Sequence, residues 1–302
     1  MMRRPPALVA GARVALVAPA GPLRGEVDLE RAQQNVRSFG WEPVVAPHAL
    51  ARWGYLAGSD AERLADLNRA LEDESIDAVW CIRGGYGAMR LLDQIDYAAL
   101  RRRPKPFIGY SDITALHAAV STRCEIVSYH GPTARAALTP FSRDSLVRAL
   151  ASSGEPCGPA SDAQVLFGGR ARGRLTGGNL ALLCALAGTS YAPDYDGAIL
   201  VLEDVNEPVY RIDRMLTHLR LAGALTQCAA LVFGAFTDIP TGAPEESVGA
   251  RTLAEVLSEA AQRARIPCIG GVPVGHIDDQ WTLPLGAIAE LDADARTLTV
   301  SG

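Results

Sequence analysis

The hydrophobic positions in the first half of the chain alternate between short unbroken runs and helical spacing. The unbroken runs, which are typical of strands buried on both faces, lie at residues 13–18, 43–46, 78–82, 106–109 and 126–129. The segments with helical spacing lie between them, at residues 28–39, 59–70, 88–95 and 112–121. This alternation predicts an α/β fold, a parallel sheet with helices on both faces that binds ligands beyond the carboxyl ends of its strands.

Residues 151–172 lose this periodicity. They are rich in Ser, Gly, Pro and Ala, which predicts a linker. The chain would then form an N-terminal α/β domain over residues 1–150 and a C-terminal α/β domain over residues 173–302. In the second part, a glycine-rich stretch at 173–179 precedes predicted strands at 198–203, 231–236 and near 269–274, predicted helices at 210–222 and 252–263, and a hairpin at 288–300.

Length and composition agree with a globular protein of about two domains. The chain has 302 residues, 48% of them hydrophobic, and a net charge of −5. These values exclude wholesale disorder, and they do not suggest a nucleic-acid partner, for which a basic surface would be expected. Lys105 is the only lysine.

The cysteines and the amino terminus bear on the cellular compartment. The six cysteines stand far apart, mostly in apolar runs, so we expect buried, reduced, structural thiols. The first residues resemble a signal peptide, but Pro5, Pro6 and Arg13 interrupt the apolar segment. No apolar run is long enough to span a bilayer, and the sequence therefore predicts a cytoplasmic protein without a membrane partner.

The sharpest local motif is Gly109-Tyr110-Ser111-Asp112, between a predicted strand and a predicted helix. A serine on such a turn projects outward, and the helix N-terminus favours negative charge that develops beside it. The amide of Asp112 could donate to an oxyanion. The plainer alternative is that Ser111 or Asp112 only caps the helix, and the motif taken alone favours the cap.

A second glycine-rich turn, Arg83-Gly84-Gly85-Tyr86-Gly87, also joins a strand to a helix. Consecutive glycines let the backbone approach a ligand and direct amides toward it. Arg90 stands where a dinucleotide fingerprint needs its last glycine, and no Gly-Lys-Ser/Thr follows as in a P-loop. The turn could supply a second oxyanion donor or be a plain tight turn.

A serine nucleophile needs a base and a group that orients the base. Of the five histidines, His130 and His276 each follow a predicted strand, and spacing does not choose between them. Glu203 and Asp204 end an apolar strand and are the best candidates for the acid, or they cap the following turn. No histidine and cysteine cluster predicts a metal, and no motif predicts a cofactor.

Six motifs, in order, together resemble the LD-carboxypeptidase family, serine peptidases that include the microcin-immunity peptidases. The motifs are Arg-Gly-Gly-Tyr-Gly, Gly-Tyr-Ser-Asp-Ile-Thr, Gly-Arg-Leu-Thr-Gly-Gly-Asn-Leu (173–180), Leu-Glu-Asp-Val-Asn-Glu (202–207), Tyr-Arg-Ile-Asp-Arg-Met-Leu (210–216) and Pro-Val-Gly-His (273–276). The resemblance spans residues 13–286. It implies a flavodoxin-like N-terminal domain, a smaller C-terminal α/β domain, a site in the cleft between them and a homodimer.

The resemblance also implies a Ser–Glu–His triad, which falls on Ser111, Glu203 and His276 and so decides for His276. The implied substrate is a cytoplasmic muropeptide tetrapeptide of peptidoglycan recycling, cut between an L-configured centre and the terminal D-Ala. We expect the backbone amides of Gly85 and Asp112 to form the oxyanion hole. The residues expected to bind substrate are Arg83, Gly84, Tyr86, Thr176 and Asn179.

Three alternatives remain open at this stage. A microcin-immunity-type peptidase, which cuts an aminoacyl-nucleotide amide, would need an aromatic side chain in residues 150–172 to stack on a purine, and only Phe167 stands there. A non-catalytic module that binds a small peptide or sugar would tolerate loss of Ser111. A glutaminase-type amidotransferase would carry cysteine in place of Ser111.

Overall fold

A computed structural model describes residues 2–151, 155–158, 160, 162–240 and 251–301. It is an α/β structure, as predicted, with two sheets. Part of the predicted linker, residues 152–154, 159 and 161, lies outside the described residues. The strands are β1 (Arg13–Val17), β2 (Glu42–Val45), β3 (Ala78–Cys81), β4 (Phe107–Gly109), β5 (Ser128–His130), β6 (Gln164–Phe167), β7 (Arg170–Asn179), β8 (Ile199–Val205), β9 (Ala230–Thr237), β10 (Cys268–Gly270), β11 (Leu283–Leu285), β12 (Ile288–Asp292) and β13 (Thr297–Val300).

Helices cover the sheets at intervals that mostly follow the predicted helical spacing. They are α1 (Glu26–Ser38), α2 (Asp60–Glu72), α3 (Tyr97–Arg102), α4 (Thr114–Cys124), α5 (Pro140–Leu150), α6 (Leu180–Leu186), α7 (Val209–Leu221), α8 (Ala224–Gln227) and α9 (Leu253–Ala264). Helix α2 begins at a capping box, in which the Ser59 and Glu62 side chains each accept from the other's backbone N–H. The segment predicted as a helix at 88–95 forms only a 3₁₀ turn, Ala88–Leu91.

The first sheet has the strand order β11-β5-β4-β3-β1-β2. Strands β1 to β5 are parallel, in the 2-1-3-4-5 order of flavodoxin-like folds. Four of the five β1 residues are buried, as the unbroken apolar run predicted. The carboxyl ends of β3 and β4 lead directly into the two glycine-rich turns, so these turns meet at one edge of the sheet.

The second sheet has the order β13-β12-β7-β8-β9-β10-β6. Its central strands, β7 to β10, are parallel, and β12, β13 and β6 run antiparallel to their neighbours. The glycine-rich stretch at 173–179 belongs to β7, although its composition suggested no strand. Backbone pairing with β8 and β12 holds this stretch extended. Gly173 and Gly177 lie so close to neighbouring backbone that a Cβ would not fit, which explains why glycine stands at these positions.

The two halves are more closely joined than the predicted boundary implies. Strand β11 comes from the second half but pairs antiparallel with β5 in the first sheet. Strand β6, within the stretch predicted as a linker, lies at the edge of the second sheet. One buried cluster contains both Trp80 of the first sheet and Val201 of the second. The division into two domains therefore stays a prediction, since backbone pairing and core packing both cross the predicted boundary.

All six cysteines are free thiols, and five of them are buried. Burial raises the pKa of every one, to about 11 for Cys124. Because the thiolate is the reactive form, these side chains act as small apolar groups in the core.

Lys105 is buried, with 1% of its surface exposed. Its ammonium donates to the carbonyl oxygens of Ala70 and Asp73, at 2.9 and 2.6 Å, at the carboxyl end of α2. Burial lowers the pKa of Lys105 to about 8.

Lys105→Met should lower the free energy of unfolding by about 2–3 kcal/mol, because two buried carbonyls lose a charged donor. Urea unfolding would measure this, with the exposed Arg102→Met as control, and a change below about 0.5 kcal/mol would contradict the assignment.

His117 packs inside the first half, as predicted, and stabilises the fold in its neutral form. Its Nε2–H donates to the Gly109 carbonyl at 2.8 Å, and its Nδ1 accepts from the Ser128 hydroxyl at 2.9 Å. Burial lowers the pKa of His117 to about 4. Between pH 6.5 and 4 the unfolded chain binds a proton that the folded chain does not, so stability falls as pH falls.

We expect His117→Gln to remove this contribution. The difference in unfolding free energy between wild type and variant should change by up to about 1.4 kcal/mol per pH unit between pH 6.5 and 4. Denaturant unfolding at a series of pH values measures the difference, with the exposed His218→Gln as control. Parallel pH profiles for wild type and His117→Gln would show that folding does not change the pKa of His117, which would contradict this account.

Candidate active site

Ser111 stands on a strained turn between β4 and α4. Its φ is +68°, a left-handed conformation that costs a residue with a side chain about 1–2 kcal/mol. A 3₁₀ turn, Ser111–Ile113, precedes α4, and neither element has a side-chain hydrogen bond at its N-cap. The capping interpretation of Ser111 and Asp112 is therefore wrong, and the Ser111 hydroxyl points elsewhere.

The glycine-rich turn at residues 83–87 packs directly against Ser111. A Cβ at Gly84 would lie 2.7 Å from the Ser111 Cβ and 2.9 Å from its Oγ, so only glycine fits there. The Gly84 carbonyl accepts from the Gly21 N–H at 3.0 Å, which holds the turn from its other side. Gly85 is exposed and has a φ of +113°, so its backbone is open to a ligand beside Ser111.

Asp112 ties the two turns together. Its buried carboxyl accepts from the Ala88 N–H at 2.7 Å, at the end of the glycine-rich turn. Burial raises the pKa of Asp112 to about 6, although the Ala88 hydrogen bond and the charge of Arg63 act to lower it. The Asp112 backbone N–H lies in the first turn of a helical segment, where amides have no partner within the helix.

Ser111, His276 and Glu203 form one hydrogen-bonded chain. The His276 Nε2 lies 3.1 Å from the Ser111 Oγ, and its Nδ1 lies 2.8 Å from the Glu203 Oε2. A carboxylate oxygen only accepts, so Nδ1 carries the proton and Nε2 accepts from the serine hydroxyl. This is the arrangement that a nucleophile, its general base and the group that orients the base require.

Glu203 is completely buried near the carboxyl end of β8. Its Oε1 has no hydrogen-bond partner among the described residues, so the contact with His276 is the polar contact that holds the carboxyl group. Gly275 allows that contact, because a Cβ there would lie 2.9 Å from the Glu203 Oε2. The φ of Gly275 is +123°, a second reason for glycine before the histidine.

The loop that carries His276 is fastened to the first half of the chain. The Ser142 hydroxyl, on α5, donates to the Asp278 carbonyl and accepts from the Gln280 N–H, at 2.7 and 2.9 Å. The Ser145 hydroxyl accepts from the Thr282 N–H at 2.8 Å. The histidine of the second half is thus held against the serine of the first half by direct hydrogen bonds.

His130, the other histidine that spacing left open, lies behind the site. It is completely buried, and neither ring nitrogen has a hydrogen-bond partner among the described residues. Burial, with the nearby His117 and His276, lowers the pKa of His130 to about 3. Tyr110 lies between the two histidines, with its ring centroid 4.8 Å from that of His276 and 6.0 Å from that of His130.

The residues predicted to bind substrate in the first half differ in exposure. Arg83 is half-buried and donates to the Pro22 carbonyl, whereas Gly84 is buried against Ser111 and presents no free surface. Tyr86 is 54% exposed and packs edge-on against Tyr55, with ring centroids 5.5 Å apart. Arg83 and Tyr86 are therefore the members of this group that a ligand could reach.

Thr176 and Asn179 do not line an open cleft as predicted, since both are buried. The Asn179 side chain donates to the Asp204 carboxyl at 2.9 Å and accepts from the Leu182 N–H at 3.2 Å, capping α6. Its backbone N–H donates to the Thr114 hydroxyl at 3.0 Å. Burial raises the pKa of Asp204, the alternative acid, to about 6, and its carboxyl supports α6 and not a histidine.

Two properties of the described residues bear on the chemistry of the site. Within the described residues, no group of three or more histidine, cysteine, aspartate and glutamate side chains is placed to hold a metal ion. None of the helices in that part of the chain is both long and apolar enough to cross a membrane. The side chains at the site can activate a serine hydroxyl, and the adjacent amides can bind an oxyanion.

Comparison with known families matches most of the chain. Residues 14–131 match the model of the LD-carboxypeptidase N-terminal domain, and residues 172–291 match that of the C-terminal domain. The murein tetrapeptide carboxypeptidase of Pseudomonas aeruginosa is 36% identical over 296 residues, which cover 93% of this chain and 94% of that protein.

Solved structures share the whole fold. The muramoyltetrapeptide carboxypeptidase of Oxalobacter formigenes is 31% identical, with a TM-score of 0.83 over 96% of this chain and 98% of its own. MccF in complex with glutamyl sulfamoyl guanosine is 22% identical, with a TM-score of 0.89 over 99% of this chain and 98% of its own. At that identity the second likeness extends to the fold alone.

The contact between Gly84 and Ser111 predicts that Gly84→Ala impairs the serine. We expect reaction with a fluorophosphonate, in which the Ser111 Oγ displaces fluoride from phosphorus, to slow on the order of 10²-fold. Intact-mass spectrometry over time measures the rate, and Ser111→Ala should give no adduct. Gly158→Ala is the matched control, because a Cβ there meets nothing within 4 Å. An unchanged rate in Gly84→Ala would show that the turn does not position the serine.

Proposed function

The chain belongs to the LD-carboxypeptidase family, and we propose that it is a serine carboxypeptidase that removes the terminal D-Ala from muropeptide tetrapeptides. The observation that carries this proposal is the hydrogen-bonded chain from the Ser111 Oγ through His276 to the Glu203 Oε2. The bond cut would join D-Ala to the L-configured centre of meso-diaminopimelate or lysine. We place this reaction in the cytoplasm, in peptidoglycan recycling, and propose that the enzyme is a homodimer.

In the proposed reaction, the Ser111 Oγ attacks the carbonyl carbon of that peptide bond while its proton passes to the His276 Nε2. The amides of Gly85 and Asp112 stabilise the oxyanion, where each donor is worth about 3–4 kcal/mol of barrier. The C–N bond then breaks, and the D-Ala amine takes the proton from His276. Water attacks the acyl-enzyme with His276 again as base, which releases the shortened peptide and restores the Ser111 hydroxyl.

Glu203 would keep His276 in the productive tautomer throughout. With Nδ1–H bound to the Glu203 carboxylate, Nε2 presents its lone pair to Ser111, and the imidazolium that forms lies 2.8 Å from a negative charge. Burial of Glu203 strengthens this interaction, because little water screens it.

An immunity-type activity on an aminoacyl-nucleotide amide is the second candidate, favoured by the fold shared with MccF. Phe167, the one aromatic residue in 150–172, lies on β6 and packs partly buried against the core of the second half. Because part of this ring packs against the core, less of it is available to stack on a purine, which favours the muropeptide. Release of an amino acid from an aminoacyl sulfamoyl nucleoside, faster than release of D-Ala from tetrapeptide, would reverse the order of the two candidates.

Replacement of any member of the triad should slow D-Ala release strongly. We expect Ser111→Ala and His276→Ala to lower kcat on the order of 10⁴-fold or more, and Glu203→Gln on the order of 10²–10⁴-fold, since an amide favours the wrong tautomer. Mass spectrometry of D-Ala released from a synthetic tetrapeptide measures this. His218→Ala, an exposed histidine on α7, is the matched control.

The outcome also separates an enzyme from a binding module. A chain that binds tetrapeptide equally well with and without the Ser111 hydroxyl, and that releases D-Ala in neither form, would be a binding protein. Undiminished release by purified Ser111→Ala would remove this serine from the mechanism.

A further inference from the structure

Two arginines lie beside the nucleophile without a full complement of negative charge. Arg83 follows β3 and immediately precedes Gly84, which touches Ser111. Arg135 lies in the loop after β5, and its N–H donates to the carbonyl of Ile82, the residue before Arg83, at 3.4 Å. The two residues therefore extend from the same edge of the first sheet, the edge that carries the serine.

Among the described residues, Asp28 is the one carboxylate within ion-pair distance of this arginine pair (Arg83 and Arg135). Arg135 Nη1 is 3.4 Å from the Asp28 Oδ2, and Asp28 also accepts from the Arg24 N–H at 3.0 Å. Arg83 has no carboxylate within ion-pair distance among the described residues, and its Nη1 donates to the Pro22 carbonyl. Two guanidinium groups and one carboxylate leave a net positive charge.

Both guanidinium groups are partly withdrawn from water. The Arg135 side chain is 26% exposed, and its Nε is buried without a hydrogen-bond partner among the described residues. Partial burial lowers the pKa of Arg83, as do the charges of Arg135, Arg24 and Arg52, against the opposing effect of Asp28. Cations that repel one another in a half-buried place favour an anion that binds between them.

The protein holds Arg135 in place by its backbone. The Asn35 side chain donates to the carbonyls of Ala134 and Ala136, at 2.7 and 2.8 Å, on either side of Arg135. The Ala134 N–H donates to the Cys81 carbonyl at 2.9 Å, which fixes the loop to the end of β3. Arg135 therefore extends from a backbone position that hydrogen bonds fix, so less backbone freedom is lost when an anion binds.

Arg135 is also close to the reacting residues. Its positive charge acts to lower the pKa of the Tyr110 hydroxyl, which burial and Glu203 raise. Tyr110 precedes Ser111 in the chain and stacks near His276. An anion bound by the arginine pair would therefore lie within a few side chains of the serine.

We propose that Arg83 and Arg135 bind the C-terminal carboxylate of the substrate as a pair. This inference rests on the proposed function and extends it from Arg83 alone to a two-arginine site. It gives a physical reason for cleavage at the last residue, because only a substrate whose free carboxylate meets the pair places its final peptide bond at Ser111. Guanidinium groups suit this task, since each can donate two hydrogen bonds to one carboxylate.

The test measures binding and does not need turnover. In the Ser111→Ala background, calorimetry would compare a lysine-containing tetrapeptide that ends in free D-Ala with the same peptide ending in D-Ala carboxamide. We expect the free acid to bind at least about tenfold more tightly than the carboxamide. Arg83→Gln or Arg135→Gln should remove most of that preference, because each weakens binding of the free acid and leaves binding of the carboxamide unchanged. Arg214→Gln, an exposed arginine on α7, should keep the preference.

A diaminopimelate-containing peptide identifies which carboxylate is bound. If the pair instead binds the side-chain carboxylate of diaminopimelate, the Arg→Gln variants will weaken binding of that peptide in both its free-acid and its carboxamide form. This result would overturn the proposal. Fluorophosphonate labelling of the Arg→Gln variants with Ser111 intact would verify that the nucleophile is still assembled. Arg135→Lys, which keeps the charge but loses the paired donors, should fall between wild type and Arg135→Gln.

The remaining outcomes separate the two levels of the proposal. If Ser111→Ala binds neither peptide, and wild type releases no D-Ala, both the proposed function and the arginine pair are rejected. A different result rejects the arginine pair alone. In that case D-Ala is released, but Arg83→Gln and Arg135→Gln either weaken binding of the free acid and of the carboxamide equally or weaken neither. The proposed carboxypeptidase function then stands.

Discussion

The contact between the end of β7 and the start of α4 determines where the two halves of the chain meet. Gly178 has no side chain, and a Cβ there would lie 2.5 Å from the Thr114 Oγ1. The next residue, Asn179, donates its backbone N–H to that same hydroxyl. Thr114 is three residues after Ser111, and Asn179 pairs with Glu203 across β7 and β8. Serine and carboxylate are thus placed by one short path, which consists of the hydrogen bond to the Thr114 hydroxyl and the pairing of β7 with β8.

The histidine is positioned from both sides of this junction. Gly275 brings its backbone onto Glu203, while serine hydroxyls of α5 hold the residues that follow His276. A functional group that must stay within a few tenths of an ångström of its partner benefits from such support, because freedom lost in advance is not lost on binding. The strained φ of Ser111 fits the same account, since the packing of Gly84 and the carboxyl of Asp112 hold the turn against its own preference.

Local patterns in the sequence predict the five parallel strands of the first sheet and helices α1, α2 and α4, because the apolar runs are continuous and the helical spacing is clear. They miss α3 and α5, and the helix predicted at 88–95 forms only a 3₁₀ turn. They were not enough for β7, because glycine has no β preference and the strand exists only through pairing with β8 and β12. Strand β11 could not be assigned to the first sheet, since three residues carry no signal for a partner far away in the chain. The Gly-Tyr-Ser-Asp motif singled out Ser111 but by itself favoured a helix cap, and spacing left His130 and His276 open. The assignment of Ser111 as nucleophile and the choice of His276 came from the family resemblance. The interpretation of Asn179 as a substrate ligand was a misreading of the Gly-Gly-Asn motif, whose members serve close packing and a helix cap.

The burial of Lys105 has a practical consequence for handling the protein. With its single lysine enclosed, the folded surface of the described residues offers no side-chain primary amine to succinimidyl esters or aldehydes. Amine-directed dyes and crosslinkers would therefore leave this side chain unmodified in the folded protein. Labelling of Lys105 would report that the region around α2 had opened, which makes its ammonium an internal reporter of local unfolding.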